Sequence, residues 1–260
     1  MPFRGDWALV TGASSGIGRE FARGLARMGV NCALAARRRP ELEALAGELA
    51  RDHGVETLVI PVDLAREDAV DRVAEALSAG GIKLRILVNN AGAGRWGPFE
   101  ATPLDRYREI LRLNVEAAVA LCHRFMADLA SFPSSAVVNV SSQAALQPVP
   151  YMAVYAASKA FLQSFSLALY EEWREKGVRV QTLIPGPTAS EFDEKAGAYA
   201  SGIGQARADP AEAVAAALAA LESAAPLVAS AKGLWKQRLF AGLAPPRMVV
   251  REVGRMFRPR

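Results

Sequence analysis

Short apolar runs alternate along this chain with stretches of helical periodicity. Trp7–Val10, Cys32–Ala36, Leu58–Ile60, Ile86–Val88, Val137–Val140 and Val178–Ile184 are apolar at most successive positions. That is the pattern of strands buried on both faces. Between them, one helix runs from a Gly-rich turn to about Met28, and one opens at Pro40 with Leu42, Leu45 and Leu49 on one face. Others cover Ala69–Leu77, a long stretch from Leu104 to Leu129, a segment through Tyr155 ending near Gly177, and Ala211–Leu221. Pro226–Val228 reads as a short last strand. Strand–helix alternation of this kind predicts an α/β class, with a doubly wound parallel sheet of about seven strands covered by helices on both faces. Ligands of such sheets bind beyond the carboxyl ends of the strands. The Ala/Gly-rich stretch Thr188–Ala208 breaks the rhythm and reads as a mobile insertion.

Composition agrees with one large domain. The 260 residues are 51% hydrophobic and 22% charged, enough for a substantial core and too apolar for disorder. Cys32 and Cys122 stand apart without metal-ligand spacing, so both read as core thiols of a reduced, cytoplasmic protein. His53 and His123 read as structural, and no metal site is expected. The N-terminal residues have no signal-peptide pattern, and no apolar run is long enough to span a membrane. Net charge is +4, but Lys232–Arg260 holds eight basic residues and one acidic one, Glu252. The basic character is therefore a property of the tail.

The first strand runs directly into Gly12, Ser14, Ser15, Gly16, Ile17 and Gly18. Glycines let the backbone turn sharply and approach a pyrophosphate resting on the following helix N-terminus. The second strand ends at Ala36, where an NAD-binding sheet would carry an acid for the ribose 2′-hydroxyl. Arg37, Arg38 and Arg39 follow instead. A guanidinium can fork onto phosphate oxygens, so the cofactor expected is NADP(H), held by Arg37 and Arg38. Asp63 and Leu64 follow the third strand as candidates for the adenine end, with a helix N-cap as the alternative for Asp63. Asn90, Ala91 and Gly92 follow the fourth strand, small enough for a ribose to lie against backbone and with an amide to tie strand ends together.

Tyr155 and Lys159 share a face if their segment is helical, and a neighbouring cation would lower the phenol pKa. The Gly-rich turn, Asn89–Gly92, Leu113–Val115, Val140–Ser142, Tyr155-x-x-x-Lys159 and Pro185–Gly186 together resemble the short-chain dehydrogenase/reductase family, across residues 5 to about 190 and in the family's order. The branch it resembles is the NADP-preferring one of hydroxysteroid dehydrogenases and ketoacyl reductases. The resemblance implies a Rossmann fold and a catalytic tetrad of Asn114, Ser142, Tyr155 and Lys159. Ser142 lies thirteen residues before Tyr155, a family spacing; Ser141 is the rival. In the family's terms Ser142 would hold the substrate carbonyl and Tyr155 would protonate its oxygen. Lys159 would bond the nicotinamide ribose and lower the phenol pKa. Asn114 would bend its helix and hold a relay water. Pro185, Gly186 and Thr188 would reach the nicotinamide.

The resemblance thus implies an oxidoreductase interconverting a ketone or aldehyde and an alcohol. The alternative is a non-catalytic NADP(H)-binding sensor or scaffold on the same fold. Gln143, Met152 and Phe192 are substrate-pocket candidates, with Gly94, Trp96, Val149 and Tyr199 beside them; this apolar set favours a lipophilic carbonyl compound. The loop at about 187–208 resembles the family's substrate loop. Residues 1–230 form the dinucleotide-binding and catalytic domain, and 231–260 a basic amphipathic helical extension. Two readings of the extension stand: packing on protein, over a subunit or the pocket, or peripheral membrane contact through 233–260. No nucleic-acid motif accompanies its charge. The family pairs helices at 104–130 and 151–176 between subunits, which implies a homodimer or homotetramer.

Overall fold

The computed structural model describes residues 3–189, 191–197, 207–221, 223, 225–230 and 233–259. The apolar runs form β1 (Trp7–Thr11), β2 (Asn31–Ala36), β3 (Thr57–Pro61), β4 (Leu84–Asn89), β5 (Ser135–Val140), β6 (Val178–Ile184) and β7 (Leu227–Ala229). All pair in parallel, in the order β3-β2-β1-β4-β5-β6-β7. The order reverses between β1 and β4, which opens a crevice at their carboxyl ends.

The helices are α1 (Gly16–Arg27), α2 (Arg39–His53), α3 (Ala69–Ala79), α4 (Leu104–Leu111), α5 (Ala117–Ala130), α6 (Ala153–Glu172), α7 (Phe192–Ala196), α8 (Pro210–Ala220), α9 (Leu234–Leu243) and α10 (Pro246–Phe257). Strand side chains alternate between two layers. Ala8 and Val10 face a core with Phe21 and Leu25 of α1, Leu42 and Leu49 of α2, and Val214 of α8. Leu9 faces the other, with Val73 of α3, Leu121 and Phe125 of α5, and Leu169 of α6. Both faces of the sheet are thus covered, which is why its strands lack a polar alternation. The α/β doubly wound architecture is as expected. No helix among the described residues is long and apolar enough to cross a membrane.

The long helix expected over 104–129 is interrupted. Residues Arg112–Glu116 form a π-turn between α4 and α5, centred on buried Asn114. An amide that bonds outside its own helix favours such a local widening. Within the insertion expected at 188–208, Thr188 bridges Ala208, and α7 lies between them.

One polar chain crosses the apolar layer. Asn89 Nδ2 donates to Asn139 Oδ1 at 2.8 Å, and Asn139 Nδ2 donates to Ser166 Oγ at 2.8 Å, tying β4, β5 and α6 together. All three residues are buried. Asn139→Ala removes the middle link and strands its partners, so it is expected to cost about 1–3 kcal/mol. Urea denaturation would show a lowered midpoint with an unchanged slope; an unshifted midpoint would deny the chain any structural weight.

Candidate active site

The crevice widens into a cleft of about 1730 Å³ across the carboxyl ends of β1, β2, β4, β5 and β6. At its floor, Gly12 and Gly16 adopt φ of +67° and +51°, which only glycine takes without strain. Gly12, Ser14, Ser15, Gly16 and Ile17 line the cleft, and Gly18 does not. A Cβ on Gly18 would collide with Gly12 O and Asn90 Nδ2. Gly18 therefore serves the close approach of α1 to the strand ends. The turn is pinned by Thr11, whose hydroxyl donates to Val88 O and accepts from Asn90 N and Ala91 N at 2.9 and 3.0 Å. Asn90 Nδ2 returns a bond to Thr11 O at 2.8 Å.

Arg37, Arg38, Asp63 and Leu64 line the next wall. Arg37 is exposed. Arg38 is held: it donates to Ser14 Oγ at 3.2 Å and pairs with Glu41 at 3.3 Å and Glu191 at 3.0 Å. Asp63 accepts from Ala65 N in a tight turn, and α3 begins only at Ala69, so Asp63 is not a helix cap. Ala91, Gly92, Pro185, Gly186 and Thr188 lie farther in. Thr188 Oγ1 donates to Gly186 O at 2.8 Å.

The chemical end lies between β5 and α6. Ser142 caps a short turn, accepting from Ala144 N at 3.1 Å, and its side faces the cleft. Ser141 is buried and donates to Lys159 O at 2.8 Å. The two neighbouring serines are thus divided, and Ser142 is the one beside Tyr155. Lys159 is 4% exposed, and Nζ donates to Val140 O at 2.8 Å. Burial lowers its pKa to about 8. The Tyr155 phenol is pushed up to about 12, mainly by burial and further by Asp193, with a hydrogen bond from Ser142 pulling the other way. In the free protein the phenol is shifted up rather than down, and Lys159, whose nitrogen donates to Val140 O, is not among the groups that shift it. Asn114 does not line the cleft. Its Oδ1 accepts from Ala93 N, and its Nδ2 donates to Ala93 O and to Ser158 Oγ, each at 2.9 Å. It holds the loop after β4 against α6 from behind.

Phe192 packs on Tyr155 with ring centroids 5.0 Å apart. Gln143, Val149, Met152 and Gly94 also line this end, whereas Trp96 stands outside it, its Nε1 donating to Phe257 O at 2.9 Å. Tyr199 falls outside the described residues, as does the Trp235 side chain.

Sequence reasoning offered the pocket as one surface for the tail but did not say which tail residues enter the site. Gln237 and Phe240 of α9 and Val253, Met256 and Phe257 of α10 line the cleft. Val249 and Val253 are buried against Val149, Met152 and Ala156. The stripe Val249–Val253–Phe257 faces inward and Arg247, Arg251, Arg255 and Arg258 are exposed, so the inner face of the extension packs over the pocket. The i, i+4 spacing of that stripe was the available signal; its target surface was not. Glu191 and Asp193 were missed for want of any motif. His53 and His123 are exposed outside the cleft, and no metal-ligand cluster occurs among the described residues. Burial pushes both cysteine thiols up to about 12, as suits inert core groups.

The short chain dehydrogenase family model matches residues 6–201. The chain belongs to the short-chain dehydrogenase family. A curated relative of this dehydrogenase-family chain, the very-long-chain 3-oxoacyl-CoA reductase of Anas platyrhynchos, is 34% identical over 198 residues, covering 74% of the chain and 63% of the relative. The chain thus spans somewhat under two thirds of that relative's length. A solved short-chain dehydrogenase from Sphingobium yanoikuyae in complex with NADPH superposes with a TM-score of 0.82 at 29% identity, covering 88% of each chain. A 7beta-hydroxysteroid dehydrogenase superposes with 0.86 at 25% identity, covering 97% of this chain and 98% of its own.

The buried lysine makes stability pH-dependent. Its folded pKa of about 8 lies below the ordinary lysine value of 10.5, so between these values the unfolded chain binds more protons and stability rises with pH. The gain is complete above the unfolded value and absent below the folded one. Lys159→Met removes it. Across pH 7.5 to about 10, the stability gap between wild type and variant, read by urea denaturation, is expected to move in favour of wild type by about 2–3 kcal/mol. A pH-independent gap would show that the ammonium is not destabilised by burial.

Proposed function

We propose that the protein is an NADPH-dependent reductase of lipophilic ketones or aldehydes. The observation that carries this is the convergence of Ser142, Tyr155 and Lys159 at one end of a cleft whose other end presents Arg38 where an acid would exclude a 2′-phosphate. The glycine floor fits a dinucleotide, since Gly12 and Gly16 line the cleft in positive-φ conformations without a side chain to fill it. Gly12, Ser14, Ser15, Gly16 and Ile17 would hold the pyrophosphate, Arg37 and Arg38 the 2′-phosphate, Asp63 and Leu64 the adenine, and Asn90, Ala91, Gly92 and Lys159 the ribose. Pro185, Gly186 and Thr188 would flank the nicotinamide, which supplies the hydride when bound.

Ser142 donates its hydroxyl proton in a hydrogen bond to the substrate oxygen, and Tyr155 transfers its own proton to that oxygen. A phenol titrating near 12 holds this proton at neutral pH, which suits the reductive direction. Lys159, with a pKa near 8, is mostly charged at pH 7, and its ammonium, bonded to Val140 O at 2.8 Å, would hold the nicotinamide ribose beside the phenol. Asn114 positions the Ala93 backbone and Ser158. Gln143, Met152 and Phe192, with Val253 and Phe257 from the tail, offer an apolar wall for a large substrate. The names of the relatives, with 3-oxoacyl-CoA and hydroxysteroid substrates, support this choice.

NADPH oxidation against a panel of ketones, aldehydes and acyl thioesters is expected to find turnover with bulky lipophilic members, and little with NADH. Tyr155→Phe is expected to lower kcat by about 10²–10⁴ while leaving NADPH binding intact. Cofactor binding without turnover of any carbonyl would favour the non-catalytic sensor instead.

We also propose a homo-oligomer. Leu104 and Leu111 of α4 and Phe161 of α6 are exposed at 60%, 44% and 43%, on the helices expected to pair between subunits. Light scattering is expected to give a dimer or tetramer mass, reduced to that of a monomer by the double variant Leu111→Glu/Phe161→Glu. A monomeric wild type would end the proposal.

A further inference from the structure

Arg38 and Glu191 are separated by 153 residues yet meet across the cleft mouth. Their contact is a fork: Nη1 donates to Oε1 at 3.2 Å and Nη2 lies 3.0 Å from Oε2. Two parallel bonds of this kind are the geometry by which a guanidinium takes a carboxylate or a phosphate. The remaining neighbours of this guanidinium are Glu41, on its own helix, and Ser14, in the glycine turn. Glu191 also accepts from Lys195. β2 ends without an acid, and the substrate loop brings one to the same place from a distant part of the chain.

We infer that Glu191 is a cofactor-specificity and gating residue, occupying Arg38 in the free protein and yielding it to the cofactor 2′-phosphate. The inference rests on the NADPH reading above. Two anions cannot share one guanidinium fork without repulsion, so the phosphate must expel the carboxylate. Both partners are partly solvated, at 33% and 40% side-chain exposure, so their pair is weak enough to be displaced. The consequence reaches the chemical end through one peptide bond. Phe192, the next residue, begins α7 and covers the Tyr155 ring. Releasing Glu191 removes one of the anchors of that cover, beside the Asp193–Arg207 ion pair at 3.0 Å and the Trp96 N to Ala196 O bond at 2.9 Å, so arrival of the phosphate at one end of the cleft loosens the cover of the phenol at the other. A cofactor lacking the phosphate leaves the latch shut.

Glu191→Gln keeps the shape and removes the competing charge. By calorimetry, E191Q is expected to bind NADP+ at least about threefold more tightly than wild type, with NAD+ affinity unchanged. By hydrogen exchange, amides 192–197 are expected to exchange faster in free E191Q than in free wild type. In wild type, NADP+ but not NAD+ is expected to raise their exchange. Wild type binding NADP+ no better than NAD+ would remove the cofactor reading, and this inference with it. A wild-type preference for NADP+ with unaltered NADP+ affinity in E191Q would overturn the role of Glu191 alone. Weaker NAD+ binding by E191Q would overturn it too, since Glu191 would then be acting as the ribose-holding acid. Exchange at 192–197 unmoved by NADP+ would overturn the gating.

Discussion

The site depends on how two parallel strands are held apart and together at one point. β1 and β4 are neighbours in the sheet, but their connections leave in opposite directions, so a gap opens beyond their carboxyl ends. Thr11 and Asn90 close the base of that gap. The Thr11 hydroxyl serves Val88 O, Asn90 N and Ala91 N, and the Asn90 amide returns to Thr11 O. This sets the separation of the glycine turn from the loop after β4. Gly18 is the steric condition for it, since any side chain there would occupy the place of the Asn90 amide. Asn114 then anchors the far end of that loop through Ala93 and reaches α6 through Ser158, so the placement of the Tyr155 helix is referred back to the same strand end.

Much of this was legible in the chain itself. Strands buried on both faces announce themselves as apolar runs, because no face of a doubly covered sheet meets water. The glycine turn and the Tyr155/Lys159 spacing are local patterns, and local patterns survive translation into structure. Three features were legible only in part or not at all. A bend at Asn114 was expected, but its form, a π-turn at Arg112–Glu116, arises from bonds that Asn114 makes to loop and helix partners distant in sequence. The inner stripe of α10 was visible as an amphipathic spacing, but an amphipathic stripe does not name the surface that it covers. The Arg38–Glu191 fork joins residues with no shared motif, and only the return of the substrate loop over the cleft brings them together.

The electrostatics of Tyr155 show where spacing alone misleads. Residues four apart on a helix share a face, but sharing a face does not decide where a long side chain points. Lys159 extends to Val140 O, into the strand layer, while the phenol sits under Phe192 near Asp193. Burial shifts the two groups in opposite senses, the phenol up and the ammonium down, because it disfavours the charged form of each. The phenol therefore keeps its proton in the free protein, while the ammonium, with a pKa of about 8, stays mostly charged at neutral pH.

That condition gives the loop a place in the chemistry. Asp193 is one of the groups holding the phenol proton in place, and it sits on the same short helix as Phe192, two residues from Glu191. A movement of α7 large enough to clear Phe192 from the ring would also carry the Asp193 carboxylate away from it. The phenol would then lose a hydrophobic cover and an opposing charge together, and both changes lower its pKa toward the range in which it can exchange protons in either direction. On the latch proposed above, Arg38 would be joined to the cover of Tyr155 through a single five-residue helix, with no need for a contiguous path of side chains between them.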